Sequence, residues 1–312
     1  MNFERILVTG GAGFVGSHLV DALIDRGVDV VVVDNLSTGV RENLDPKAEF
    51  VKCDVRDHDA IKKVVRSGVD AVIHLAARVS VRSSVEGFLD DAQTNVLGTL
   101  TLLDAVRGSG VRKFIYASSM AVYADGIDRS PIPEIYPKGP PSPYGVAKLT
   151  CERYLELLQP SLGIRIAALR YFNVYGPRQG YTPYVGVITI FSKELLNGRP
   201  PVIFGDGEQT RDFVSVRDIV NGTLLALEAD IDWDIFNIGS GRGWTVNEIA
   251  RMLIERIRPG TIPESAPARP EEMLFSVADL TKSESVLGYE PKGMLEEDID
   301  EIIEWCRERF AK

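Results

Sequence analysis

The chain has 312 residues, 45% of them hydrophobic and 26% charged, a balance that excludes disordered, collagenous and membrane-spanning classes. Its net charge of −10 gives no basic field for a nucleic-acid backbone or an anionic membrane surface. An anionic ligand would instead be held in a pocket by a few placed arginines and backbone N–H groups. Three cysteines (Cys53, Cys151, Cys306) and three histidines (His18, His58, His74) are scattered along the chain, in no metal-ligand or disulfide spacing, so no metal is expected. A strand begins by Arg5 and a glycine turn by Gly10. That leaves no room for a signal peptide's apolar region, and no apolar run approaches the ~20 residues of a membrane span. The expected compartment is the cytoplasm.

Short runs rich in Val, Ile and Leu predict strands at 5–9, 28–33, 49–52, 70–75, 113–118 and 164–170. Their continuous apolar character, without period-two alternation, marks strands covered on both faces. Amphipathic segments at 17–26, 57–66 and 90–107 lie between them and predict helices. Strand and helix alternating in this way give an α/β fold with a doubly wound parallel sheet. After Arg170 the chain turns rich in Gly, Pro and aromatic residues through "YFNVYGPRQGYTPYVG", which predicts a second, smaller and discontinuous domain. "DIFNIGSG", 234–241, reads as a strand returning to the sheet, and 295–310 as an acidic amphipathic helix. The expected division is 1–172 with a returning segment at about 212–241, against 173–211 and 242–312.

"VTGGAGFVGSHL" follows the first strand and opens the first helix. It satisfies both Gly11-x-Gly13-x-x-Gly16 and Gly10-x-x-Gly13-x-x-Gly16. Glycines allow the tight turn and the approach of backbone to a pyrophosphate, and the helix N-terminus supplies free N–H donors. Asp34 ends the second strand 21 residues beyond Gly13, close to the ~20 expected of a carboxylate that accepts the adenosine ribose hydroxyls. That selects NAD over NADP, whose 2′-phosphate would meet a like charge, although Arg41 nearby softens the preference.

Tyr144 and Lys148 in "SPYGVAKLT" are four apart behind Ser142 and Pro143, which places both on one face of a helix. A phenol titrates near ~10, and bringing it toward neutrality takes about 4 kcal/mol, within reach of an adjacent ammonium and a cationic nicotinamide. Ser119, in "FIYASSMAVY", ends the fifth strand at the carboxyl edge where open α/β sheets place ligands.

With these residues, "VVDNLSTG", "VIHLAA", "TNVLGT", "RYFNVYGP" and "TRDFVSVRDI" follow in order. Over nearly its whole length the chain resembles the extended short-chain dehydrogenase/reductases, most closely the nucleotide-sugar epimerases of the UDP-glucose 4-epimerase type. The resemblance implies a Rossmann-type NAD-binding domain, a nucleotide-sugar-binding domain and a homodimer formed through 90–107 and 144–158. By the same resemblance Ser119 would orient the substrate hydroxyl, Tyr144 would be the acid/base, and Lys148 would bind the nicotinamide ribose and hold the Tyr144 pKa down. NAD would lie on Gly10, Gly13, Phe14, Val15 and Gly16. Asp34, Asn35, Ser37, Thr38 and Gly39 would surround its adenosine ribose, and Asp54 and Val55 its adenine. Leu75, Ala76, Ala77 and Thr94 would meet the centre of the cofactor, with Tyr144, Lys148, Tyr171 and Val174 completing its site.

On the substrate side the resemblance implies a UDP-sugar held by Arg211 and Arg269 at the diphosphate, Phe204 near the uracil, and Asn173, Ser119 and Tyr144 at the sugar. A planar guanidinium suits phosphate better than an ammonium does. Ser276 occupies a position where glucose-restricted members carry a bulky tyrosine, which predicts room for a C2 acetamido group. Dehydrating and decarboxylating relatives place a carboxylate close after the catalytic hydroxyl residue, whereas Met120 and Ala121 stand here. The expected reaction is NAD-dependent C4 epimerisation of UDP-galactose/UDP-glucose, with the N-acetylated pair also in reach. The alternatives are another nucleotide-sugar enzyme acting on UDP-glucuronate or a dTDP- or GDP-sugar, and a non-catalytic NAD-binding regulator.

Overall fold

The computed structural model describes residues 3–125, 129–181, 186–269 and 273–311. The main sheet begins with β1 (Arg5–Thr9), β2 (Asp29–Asp34), β3 (Glu49–Lys52), β4 (Ala71–His74), β5 (Lys113–Ser119) and β6 (Arg165–Tyr171). Three short strands of other sheets follow, β7 (Asn173–Tyr175), β8 (Val202–Phe204) and β9 (Thr210–Ser215), and then β10 (Trp233–Ile238) rejoins it. The order is β10-β6-β5-β4-β1-β2-β3, parallel throughout. This is the Rossmann-type doubly wound α/β arrangement that the continuous apolar runs predict. Ile6, Leu7 and Val8 are wholly buried because helices cover both faces. One face packs Leu19, Leu23, Ile219 and Leu224, from helices Phe14–Asp25 and Val216–Glu228. The other packs Ile61, Leu102, Cys151 and Leu155, from His58–Val65, Gly98–Val106 and Pro143–Leu162.

The strand order reverses between β1 and β4, so a crevice opens at their carboxyl ends, beside the glycine turn. The helix behind that turn begins at Phe14, three residues before the apolar periodicity starts, because its first turn faces the crevice and not the core. The long helix predicted over 90–107 is interrupted. Phe88–Ala92 passes into a π turn at Gln93–Leu97 before Gly98–Val106. Buried polar groups hold the wider turn: the Asn95 carbonyl accepts from the Thr99 hydroxyl at 2.6 Å and from Cys151 Sγ at 3.2 Å.

The second unit contains β7, β9, β11 (Gly243–Thr245) and β13 (Phe275–Ser276) in one small sheet, while β12 (Glu264–Ala266) pairs with β8. Phe191, Trp244, Leu253, Ile299 and Cys306 form its separate core. Residues 210–215 pair with β7, β11 and β13 and not with the large sheet, so we place the boundary of the returning segment at Ser215/Val216. The tail forms the helix Leu295–Phe310, as its spacing predicts. Among the described residues no helix is long and apolar enough to cross a membrane.

Candidate active site

A cleft of about 1320 Å³ runs from the glycine turn to β8 and β9. At its inner end Gly10 has φ +72°, and a Cβ there would stand 2.7 Å from the Ala76 backbone nitrogen. A Cβ on Gly16 would stand 2.2 Å from the Gly10 carbonyl oxygen. Of the two possible registers, Gly10-x-x-Gly13-x-x-Gly16 therefore carries the backbone approaches. The helix after Gly13 has no side-chain cap and no acid in its first turn, which leaves N–H donors and positive dipole for an anion.

Asp34 is buried, and its carboxylate accepts the Ala12 N–H at 3.1 Å and the Leu36 N–H at 2.8 Å. Arg41 stacks on Phe50, 4.7 Å from the ring centroid, and not on the ligand side of Asp34. A fixed carboxylate, a glycine cradle and an uncapped helix together fit NAD. Two residues expected at the cofactor are held by neighbours in the cleft wall. Gly39 lines no part of the cleft; it packs under Asp34, where a Cβ would meet both carboxylate oxygens at 2.9 Å. Asp54 is held beside the cleft, where Arg56 pairs with both its oxygens and Asn35 donates to it at 3.0 Å. The Arg56 guanidinium holds the Asp54 carboxyl well below the usual carboxylate range. Arg56, Asn35 and Val55 form the wall at that end.

Ser142 caps the helix Pro143–Leu162 through the Gly145 N–H at 3.2 Å, with Pro143 in its first turn. This aims Tyr144 and Lys148 from successive turns into the cleft beside Ser119. The Ser119 hydroxyl stands close enough to the Tyr144 phenol to favour its ionised form. Lys148 Nζ donates to the Ala117 carbonyl at 2.7 Å and stands 5.8 Å from the Tyr144 ring centroid. The neighbouring Ser118 is spent elsewhere: it donates to Glu152 at 2.6 Å, and Glu152 takes Arg170 through both oxygens at 2.9 and 2.6 Å. The protein by itself does not lower the Tyr144 pKa as expected. Burial pushes it up to about 12, with Ser119 opposing, and burial pushes Lys148 down to about 8. Lowering the Tyr144 pKa falls to the other expected cation, an oxidised nicotinamide.

The floor under this trio is a directed hydrogen-bond chain. The Thr99 hydroxyl donates to Asn95, so it accepts from His74 Nε2–H at 3.0 Å; His74 Nδ1 then accepts the Thr9 hydroxyl at 2.7 Å, and Thr9 accepts the Ala76 N–H at 3.3 Å. His74 is fully buried and pushed down to about 3, so it stays neutral.

At the outer end Arg211 projects from β9 and Arg269 stacks on Phe204, 3.3 Å from the ring centroid. Asp212 fixes this strand: fully buried, it accepts Ser240 N–H and Oγ at 2.7 Å, Gly241 N–H at 2.9 Å and Ala278 N–H at 3.1 Å. Asn173, Val174 and Tyr171 line the join between the two ends, and Leu75, Ala76, Ala77 and Thr94 its inner wall. Ser276 departs from expectation. It is fully buried in β13, opposite Arg211, with its Oγ unpartnered, and it does not line the cleft. The strand pairing turns it inward, and Met273 faces the space. Sequence reasoning missed Arg82, in "VSVRSS" a few residues beyond β4, which lines the cleft 5.9 Å from the Phe204 ring centroid. Met120 and Ala121 line the cleft after Ser119, and the next acid, Asp125, accepts the Leu274 N–H at 2.9 Å.

Residues 6–239 match the model of the NAD dependent epimerase/dehydratase family. The UDP-glucose 4-epimerase of Mycolicibacterium smegmatis is 37% identical over 310 residues, covering 98% of this chain and 99% of the relative. The structure of the Thermotoga maritima UDP-glucose 4-epimerase with UDP-glucose superposes with a TM-score of 0.94 at 43% identity, over 97% of this chain and 99% of that one. That of the UDP-N-acetylglucosamine 4-epimerase from Methanobrevibacter ruminantium M1, in complex with UDP-N-acetylmuramic acid, gives 0.91 at 37% identity, over 98% of each. The chain belongs to the NAD-dependent epimerase/dehydratase family.

Proposed function

We infer that the protein interconverts C4 epimers of a UDP-hexose, UDP-galactose and UDP-glucose first among them, through a transient 4-keto sugar. One observation carries the reading: Ser119, Tyr144 and Lys148 meet between an Asp34-anchored cofactor end and an Arg211/Arg269/Phe204 end of the same cleft. The glycine turn and Asp34 would hold NAD, which would supply a hydride acceptor and donor for C4. Tyr144 removes the O4 proton and later gives it back, while Ser119 holds O4 against it. Lys148 grips the nicotinamide ribose and adds its positive charge to the phenolate's surroundings. Arg211 and Arg269 anchor the diphosphate, so the sugar can turn over between the two transfers without the ligand leaving. The absence of an acid directly after Ser119 favours this reaction over elimination.

The test is NMR of UDP-galactose and UDP-N-acetylgalactosamine incubated separately with the protein and NAD. Conversion of UDP-galactose to its C4 epimer is expected, and conversion of the second sugar would extend the range to the N-acetylated pair. No turnover of either would sink the UDP-hexose assignment. Tyr144→Phe should lower kcat by about 10³-fold while NAD remains bound; unchanged turnover would remove Tyr144 from the chemistry.

We also propose a cytoplasmic homodimer. Cys53, Cys151 and Cys306 are free thiols, which suits a reducing compartment. Leu97, Val146 and Leu157 are each at least half exposed on the segments expected to pair, as are Phe88 and Leu89 just before them, whereas Leu100 and Leu149 pack inward. Light scattering should give twice the chain mass, falling to the monomer in Leu157→Glu; a wild-type monomer would refute the pairing.

A further inference from the structure

Asp91 takes no part in the chemistry described above, yet it is buried to within 1% of its surface one helix away from Tyr144 and Lys148. Its Oδ1 accepts the Asn95 side-chain amide at 2.9 Å, and its Oδ2 is buried without a hydrogen-bond partner. Asn95 in turn clamps the backbone of Arg78, accepting its N–H at 2.8 Å and donating to its carbonyl at 3.0 Å. Arg78 directly follows Ala76 and Ala77 on the cofactor wall. Burial raises the pKa of the Asp91 carboxyl, while the Asn95 bond and the charges of Lys148 and Arg78 lower it, so keeping it ionised with an unmatched oxygen depends on opposite charge nearby.

The charges around the pair can be counted. From its own helix Lys148 faces Cys151 and Glu152, from β5 Tyr116, from β4 His74, and from Phe88–Ala92 Asp91. Burial keeps Tyr116 and Cys151 protonated, and His74 is neutral. Glu152 is matched by Arg170 at 2.6 Å. Asp91, on the helix packed against Pro143–Leu162, acts electrostatically on Lys148 and Tyr144 and feels Arg78, and Arg78 stands 3.8 Å from Asp90 at the surface. Among the described residues Asp91 is thus the negative charge near Lys148 that no cation contacts directly.

We propose that Asp91 is a positioning residue with two effects: through Asn95 it sets the Arg78 end of the cofactor wall, and its buried carboxylate balances the Lys148 ammonium beside Tyr144. The proposal rests on the epimerase reading for its kinetic readout but not for its spectroscopic one. Removing a negative charge lowers the pKa of both neighbours, so both limbs of a pH profile move toward acid. Loss of a purely structural contact lowers the profile and leaves its limbs in place.

Asp91→Asn keeps an oxygen for Asn95 and removes the charge. In the NAD-loaded protein the bell-shaped kcat profile of this variant should move toward acid by about one pH unit, losing about tenfold in kcat on the alkaline side. Asp91→Glu, which restores the charge, should return the limbs toward wild type. Tyrosinate absorbance near 295 nm, taken as the difference from Tyr144→Phe in each background, should show Tyr144 ionising at lower pH in Asp91→Asn. Superimposable limbs and an unmoved Tyr144 titration would overturn the proposal. If wild type turns over no UDP-hexose, the functional reading fails, and the absorbance titration still decides the role of Asp91. Should Asp91→Asn not fold, Asp91→Ser, also uncharged, is read the same way.

Discussion

The two ends of the cleft are built by different means. The cofactor end is made of backbone from one stretch: a turn at Gly10–Gly16 with helix N–H groups behind it, and one carboxylate, Asp34, held by two more N–H groups. The substrate end is made of side chains brought together from distant segments: Arg82 after β4, Asn173 in β7, Phe204 in β8, Arg211 in β9 and Arg269 before β13. Backbone construction leaves little tolerance for an added atom, while side-chain construction spreads binding over groups that can be lost singly. The difference predicts different responses to mutation at the two ends.

The largest effect should follow from a single methyl at the cofactor end. In Gly16→Ala the new Cβ would meet the Gly10 carbonyl at 2.2 Å and the Gly11 Cα at 2.7 Å, and both are backbone with no rotamer to give way. Strand and helix must separate. The expected outcome is at least 100-fold weaker NAD binding by calorimetry, with a stability loss of about 3 kcal/mol in urea, comparable to overpacking a tight core. Wild-type NAD affinity in this variant would show that the turn yields, and the contrast between the two ends would fail.

At the other end, Arg211→Ala and Arg269→Ala should each raise the KM for UDP-galactose about 10- to 100-fold, the worth of one charge-assisted contact. NAD affinity should stay within about twofold. The combined variant should lose less than the product of the two, because both groups act on one ligand. A fall in kcat at unchanged KM would place either arginine in the chemistry and not in the anchor.

This contrast also governs what the sequence reveals. The cofactor end is legible because its requirements are local: glycines at fixed offsets, a strand before and a helix after, and Asp34 at the end of the next strand. Tyr144 and Lys148 are legible for the same reason, four residues apart behind a capping serine. The parts that were not legible depend on pairing between distant segments. Ser276 reads as a pocket residue until the pairing of β13 with β9 turns it inward. Asp54 reads as a ligand contact, and its spacing gives no sign that Arg56, two residues on, also pairs with its carboxylate. The π turn inside 90–107 leaves the apolar spacing of a helix intact, and its cause, the double use of the Asn95 carbonyl, lies in Cys151 on another element. Nor does spacing indicate that 210–215 belongs to the small sheet, since β9 and the helix after it are continuous in the chain.

The smallest predicted effect is a pH dependence that should appear at the cofactor end. His74 titrates at about 3 in the folded protein because it is fully buried between Thr9 and Thr99, against about 6.5 when unfolded. Between those values the unfolded chain carries a proton that the folded one does not. Stability is therefore lost as pH falls below 6.5, by up to about 1.4 kcal/mol for each pH unit from this group. From pH 7 to pH 5 that amounts to about 2 kcal/mol. His74→Asn removes the titrating group and breaks the chain from Ala76 to Asn95, so it should be less stable than wild type at pH 7, with a gap that narrows as the pH is lowered to 5. Urea midpoints at several pH values measure it, and a gap independent of pH would mean that His74 does not carry this part of the acid sensitivity. NAD binding sharpens the comparison further. Because the chain ends at the Ala76 N–H on the cofactor wall, His74→Asn should weaken NAD several-fold and leave the KM for the sugar nucleotide unchanged at saturating cofactor.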